Sequence, residues 1–191
     1  MHAFKKKYYF LIQSIKDIDL SIIKKYKKII IIYRNFGVKD NISEIFKFRM
    51  KCKLKLIKFF IANNIYLANL IKADGIYISA HNRSLKFLNY KKSNFEIIGS
   101  AHNFKEIELK KRQGCKKILL SRLFLVDYKK REKTLGIIKF NQYSLDIPNT
   151  LIPLGGIKIS NLNKTKCVNS EGIALLSEIK KKPAKIINRL F

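Results

Sequence analysis

The sequence predicts an α/β fold, a small (β/α)8 barrel with short helices, in which residues 1–191 form one domain. Three observations predict it. Short runs of β-branched and aromatic residues alternate with amphipathic stretches about eight times along the chain. Such apolar runs suit strands buried on both faces, and strand–helix alternation means a parallel sheet covered by helices. The first turn, Gln13-Ser14-Ile15-Lys16-Asp17, holds no glycine. An open doubly wound sheet, the rival architecture, normally carries a Gly-rich turn there. The chain is slightly shorter than the usual ~250 residues of such a barrel, so some helices must be brief.

The apolar runs give the strands in order: Tyr8–Gln13, Ile29–Arg34, Leu56–Ala62, Gly75–Ile78, Glu96–Gly99, Lys117–Ser121, Thr150–Leu154 and Gly172–Leu176. Helix signals lie between them. Asn41-x-x-Glu44 and Asn103-x-x-Glu106 resemble capping boxes, in which side chains satisfy the orphan amides of a first turn. Gly114 suits the position just past the second of these helices. Ser160 is expected to cap a short helix running to about Cys167. Pro183 suits the first turn of a last helix. The helices between Asn63 and Lys91 are predicted to be very short. The unpatterned, basic stretch Arg122–Leu135 reads as a loop after strand six.

Composition narrows the class. Hydrophobic residues make up 47%, enough for a core and too many for a disordered tail. No apolar run reaches the ~18 residues of a membrane-spanning helix, so no membrane partner is expected. The piece Tyr8-Tyr9-Phe10-Leu11-Ile12, after a basic start, is too short for a signal peptide and lacks a cleavage site. Cys52, Cys115 and Cys167 are scattered and odd in number, which argues against disulfides and against a zinc site. A reducing cytoplasm is the expected location.

The formal charge is +28, from 41 basic and 13 acidic residues. Such a field attracts polyanions. The chain is also crowded with Lys, Ile, Asn, Phe and Tyr, a set that AT-rich codons favour, and the lysines scatter along its whole length. Compositional drift is therefore the expected main source of the charge. No nucleic-acid recognition motif accompanies it.

In such a barrel the chemistry sits at the C-terminal strand ends. The residues there are polar: Arg34-Asn35, Asn63-Asn64, Ser79-Ala80-His81-Asn82, Ser100-Ala101-His102-Asn103, Ser121-Arg122, Gly155-Gly156 and Ser177. Gly155-Gly156 lets backbone amides approach a ligand, and Ser177 opens a final helix. Loops after strands seven and eight with a helix N-terminus form a recurrent phosphate site. His102 suits either a general acid/base beside Ser100 or a structural residue beside the Asn103 cap. Carboxylates are missing where a hard cation would be held. Asn63, Asn64 and Asn82 stand at those strand ends, and Asp74 lies at the opposite end of its strand.

Four segments resemble the thiamine phosphate synthase/TenI family. Ile97-Ile98-Gly99-Ser100-Ala101-His102-Asn103 resembles G-x-S-x-H-(N/S). Leu154-Gly155-Gly156-Ile157 followed by Asn161 resembles A-x-G-G-I…N. Gly172-Ile173-Ala174-Leu175-Leu176-Ser177-Glu178-Ile179 resembles G-(V/I)-A-V-V-S-x-I. Ala73-Asp74-Gly75-Ile76-Tyr77-Ile78 resembles A-D-G-V-H-L. Their order and spacing agree over roughly residues 56–180.

The resemblance implies a barrel that joins a hydroxymethylpyrimidine diphosphate to a thiazole phosphate and releases pyrophosphate. It implies that Gly155, Gly156, Leu176 and Ser177 bind the thiazole phosphate. Arg34 would grip the diphosphate, and Ser100 and Asn63 would serve the substrate. Lys129 or Lys130, within Asp127–Lys133, would supply the cation of a T-x-T-K loop that is not recognisable here. Mg2+ is the family's cofactor, yet its ligands are not evident. The Gln and Lys of the family's Q-x-R-x-K segment are Ile32 and Phe36. Its Asn-Asp pair falls on Ala62-Asn63 or Asn63-Asn64, and a further Asp falls on Asn82. Three activities remain open: a divergent synthase, a thiazole tautomerase using His102, and a non-catalytic binder of phosphorylated ligands. Small phosphorylated heterocycles are the expected partners, and family members often self-associate.

Overall fold

The computed structural model describes residues 6–23, 27–35, 37, 40–92, 95–126, 134–148 and 150–191. Its centre is a closed parallel barrel of eight strands in sequential order, with the last pairing back onto the first. The strands are β1 (Lys7–Ile12), β2 (Ile29–Tyr33), β3 (Lys58–Ala62), β4 (Gly75–Ile78), β5 (Glu96–Ala101), β6 (Lys117–Ser121), β7 (Leu151–Leu154) and β8 (Gly172–Leu175). β4 and β6 have the predicted bounds. β3 starts later than its apolar run because Leu56, at φ 57°, turns the chain out of the preceding helix. β5 runs on to Ala101, since Ser100 and Ala101 continue the ladder with Leu119 and Leu120.

Strand alternation sorts the apolar side chains into two layers. Tyr9, Leu11, Ile30, Ile32, Phe60 and Tyr77 point inward with Ile98, Leu119, Ile152 and Ala174, filling the barrel. Their neighbours Tyr8, Phe10, Ile31, Phe59, Ile76 and Ile118 point outward, under the helices. Each buried Ile or Leu contributes about 1.5–3 kcal/mol. The inner layer also demands glycine at 75, where a Cβ would run into the Glu96 carbonyl and the Phe60 ring.

The outer layer holds α1 (Ile42–Leu54), α2 (Ile65–Leu70), α3 (Phe104–Arg112), α4 (Gly136–Asp146), α5 (Ser177–Lys181) and α6 (Pro183–Leu190). Short 3-10 segments replace helices after β1, β4 and β7. Asn41 caps α1 through Ser43 N, at 3.0 Å. Asn103 accepts from Glu106 N at 2.9 Å, while the Glu106 carboxylate reaches back to His102 N at 2.8 Å. Gly114 follows α3 with φ 81°. The segment Ile159–Cys167 is 3-10, and its start is tied by Asn161, not by Ser160: the Asn161 oxygen accepts from Lys158 N at 2.8 Å.

Asp74 of the A-D-G segment serves the fold. Its carboxylate accepts from Phe59 N at 2.7 Å and from the buried Arg49 guanidinium at 3.0 Å, joining α1 to β3 and β4. At the N-terminal mouth Lys58 pairs with Glu96 and Lys117 with Glu171. No helix among the described residues is long and apolar enough to cross a membrane.

Candidate active site

The C-terminal mouth opens into a cavity of about 780 Å³. One wall comes from the rim: Arg34 after β2, His81 after β4, His102 after β5, and Ser121 with Arg122 at β6. The other comes from Leu154–Lys158 and Ala174–Glu178. Arg34, Arg122, Lys139, Lys158 and Lys181 contribute cations, and Glu178 is the carboxylate among the described lining residues. A concave site with that balance favours an anion.

The floor on the β7 side is a glycine turn. Gly155 and Gly156 have φ 91° and 69°, which side-chain-bearing residues rarely adopt. A Cβ at 155 would meet the Arg122 stem at 3.0 Å, and one at 156 would collide with the Phe124 and Leu125 carbonyls. Asn161 braces the turn by donating to the Gly156 carbonyl at 2.8 Å. Beside it, Ser177 begins α5, whose first-turn amides have no partner within the helix.

His102 and Ser121 form a pair across β5 and β6. The Ser121 hydroxyl lies 2.8 Å from His102 Nδ1, so Nε2 is the ring nitrogen left to meet a ligand. The His81 ring stands 6.1 Å from the His102 ring. The Arg34 guanidinium lies over the Tyr77 ring, 5.4 Å from its centroid. Tyr77 is fully buried, which raises its pKa, and its hydroxyl is hydrogen-bonded to Ser100.

Six of the predicted site residues therefore come together around one cavity: Arg34, His102, Gly155, Gly156, Leu176 and Ser177. Ser100 is not among the lining residues; it is buried and hydrogen-bonded to Tyr77. Asn63 lies outside it, at the β3–β4 rim. Lys129 lies outside the described residues.

The rim around Asn63 tests the fit for a divalent cation. Asn64 caps α2 through Leu67 N at 2.9 Å, so Asn63 is the residue that meets the β4 loop. Its Oδ1 accepts from Ser79 N at 3.0 Å and from Asn82 Nδ2 at 3.1 Å. The Asn82 oxygen accepts from Ser84 N at 3.0 Å. Both amide oxygens are thus occupied within the chain, and neither side chain carries charge. Mg2+ prefers carboxylate oxygens in a near-octahedral set. This rim does not fit it, and no group of three or more His, Cys, Asp or Glu gathers among the described residues.

Several residues escaped sequence reasoning. Lys139 projects from α4, where a lysine reads as solvent-facing. Arg122 and Ser121 stood in the list of strand ends without a role. Lys110 and Gln113 lie buried behind the β4 loop; the signal was that Lys110 shares the inward face of α3 with Ile107, three residues earlier.

Comparison with known proteins places the chain. Thiamine-phosphate synthase of Clostridioides difficile is 26% identical over 151 residues, covering 78% of this chain and 71% of the relative. That of Prochlorococcus marinus AS9601 is 28% identical over 141 residues, 73% of this chain but only 40% of the relative. Among solved structures, thiamine phosphate pyrophosphorylase from Pyrococcus furiosus superposes with a TM-score of 0.72 at 14% identity, over 99% of this chain and 98% of that one. A 3-hexulose-6-phosphate synthase gives 0.67 at 11% identity, over 96% and 97%. At these identities the structures share the fold. The family model described as thiamine monophosphate synthase matches residues 21–179. With strands β2 to β8, the glycine turn and the strand-eight segment all inside that match, the chain belongs to the thiamine monophosphate synthase (TMP-TENI) family.

Proposed function

We propose that the protein is a divergent thiamine-phosphate synthase, joining hydroxymethylpyrimidine diphosphate to thiazole phosphate. The observation that carries this reading is the cationic cavity built on the glycine turn. In the reaction the bond from the pyrimidine methylene carbon to the diphosphate oxygen breaks. The thiazole nitrogen bonds to that carbon, and pyrophosphate leaves. The thiazole phosphate would sit against Gly155, Gly156, Leu176 and Ser177. Arg34 and Arg122 would face the charge that grows on the leaving diphosphate, where fixed cations are most effective.

A second reading, thiazole phosphate tautomerisation, is favoured by the His102–Ser121 pair. That chemistry needs one phosphate site and one acid/base, roles that the glycine turn and His102 would fill. Binding without turnover is the third outcome. The experiment is formation of thiamine phosphate from the two substrates by the purified protein, with Mg2+ and with EDTA. Product supports the synthase. No product beside an active control synthase removes that reading and transfers the question to tautomerase assay.

A further inference from the structure

Lys110 is a fully buried lysine outside the cavity. Its ammonium donates to the Ser79 and Asn82 carbonyls, both at 2.8 Å, and to Gln113 Oε1 at 2.9 Å. Three acceptors match the three protons of an ammonium and exceed what a neutral amine can donate. The Gln113 amide donates in turn to the Asn82 and Ser84 carbonyls, both at 2.9 Å. Every donor of the two side chains is used, and all their acceptors in other elements are backbone carbonyls of one loop. Gly99 gives the lysine room: a Cβ there would lie 3.0 Å from Lys110 Cδ. A lysine is rarely buried without a carboxylate partner. Burial lowers the pKa of this one, against the pull of Cys115 and Glu106.

The gripped carbonyls flank His81, which lines the cavity, and belong to Ser79 and Asn82, which meet Asn63. We infer that Lys110 is a positioning residue that fixes the β4 loop from beneath, seating His81 in the cavity and Asn82 on Asn63 with no divalent cation. Hydrogen bonds from an internal cation then hold this rim, and ligand anions meet the cavity's own arginines and lysines. The ligand part of the inference rests on the proposed function; the loop part does not.

The test uses the whole chain, inorganic pyrophosphate as probe, and the variants Lys110→Met and Gln113→Leu. Calorimetry gives pyrophosphate affinity with Mg2+ or EDTA. Hydrogen exchange follows residues 79–84, and the ring resonance of His81, assigned through His81→Gln, reports its seating. Wild-type affinity is expected to change less than twofold in EDTA. Lys110→Met is expected to weaken pyrophosphate binding about tenfold, as the loss of buried charged hydrogen bonds would. It should also speed exchange in residues 79–84 and shift the His81 resonance, while strand amides stay protected. Gln113→Leu should do the same to a smaller degree, and carries the test if Lys110→Met does not fold. Unchanged exchange and an unmoved His81 resonance in a folded variant overturn the positioning role. Pyrophosphate binding abolished by EDTA overturns the metal-free rim. If wild type binds no pyrophosphate, the proposed function fails, and the exchange and resonance data still decide the role of Lys110.

Discussion

The side-chain amide of Asn82 donates to the amide oxygen of Asn63 at 3.1 Å, joining the ends of β4 and β3. Backbone amides fix both orientations, since Ser79 N and Ser84 N can only donate. The contact is neutral and complete within the chain.

Replacing both with aspartate should therefore create a cation requirement. Two carboxylates so close repel, and one is forced toward the protonated form. Asn63→Asp/Asn82→Asp is expected to lose about 1–3 kcal/mol in EDTA. Mg2+ should restore part of that loss. Thermal unfolding with and without Mg2+ checks it, and the wild-type midpoint should not move.

Arg34→Ala and His102→Asn should separate the two activities. On the proposed function the first removes a cation that would face the diphosphate, and should lower synthase turnover by about 10²-fold, in the range of a lost charge-stabilising donor. The second removes an acid/base and should lower tautomerase turnover by about 10²-fold or more. Steady-state rates of both variants in both assays check the split. Equal effects of the two changes in each assay would contradict it.

The glycine turn should tolerate no side chain. Gly156→Ala meets both a positive φ and the Phe124 and Leu125 carbonyls, and is expected to cost about 2–3 kcal/mol. Gly37→Ala carries the φ penalty alone, because nothing lies within 4 Å of the added carbon. It should cost about 1 kcal/mol. Urea unfolding of both variants gives the comparison.

The three thiols should react unequally. Burial pushes the Cys52 and Cys115 thiols up to about 12, while Cys167 is exposed. The thiolate is the reacting form, so at pH 8 the buried pair is protonated as well as shielded. A disulfide reagent should modify one thiol per native chain and three in denaturant.

Most of the fold was legible because the strands are short apolar runs, several of them continuous β-branched or aromatic stretches such as Ile29–Tyr33, and the barrel buries both faces. Boundaries slipped by one or two residues where a backbone detail decided them, as at Leu56. Of the site, the glycine turn and the strand-end Arg34, His102 and Ser177 were legible, since those residue types carry their meaning in their position. Asn63 and Asn64 were not separable by spacing. The structure assigns one to the β4 loop and the other to a helix cap. Lys110 was hidden for a different reason: among so many solvent-facing lysines, its place on the inward face of α3 beside Ile107 is a weak mark of burial. Ser100, which the resemblance makes a substrate contact, is buried and hydrogen-bonded to Tyr77, and it is not among the residues lining the cavity.

The loop after β6 is fastened to the turn after β7. Leu123 N donates to the Leu154 carbonyl at 2.9 Å, Phe124 N to the Gly155 carbonyl at 3.1 Å, and Gly156 has no space beneath the Phe124 and Leu125 carbonyls. Leu123–Leu125 and the turn can therefore separate only by breaking shared bonds, so the position of this segment is thermodynamically linked to that of the turn. On the proposed function, a phosphate seated on the turn would favour these bonds, and the bonds would favour the phosphate by the same free energy.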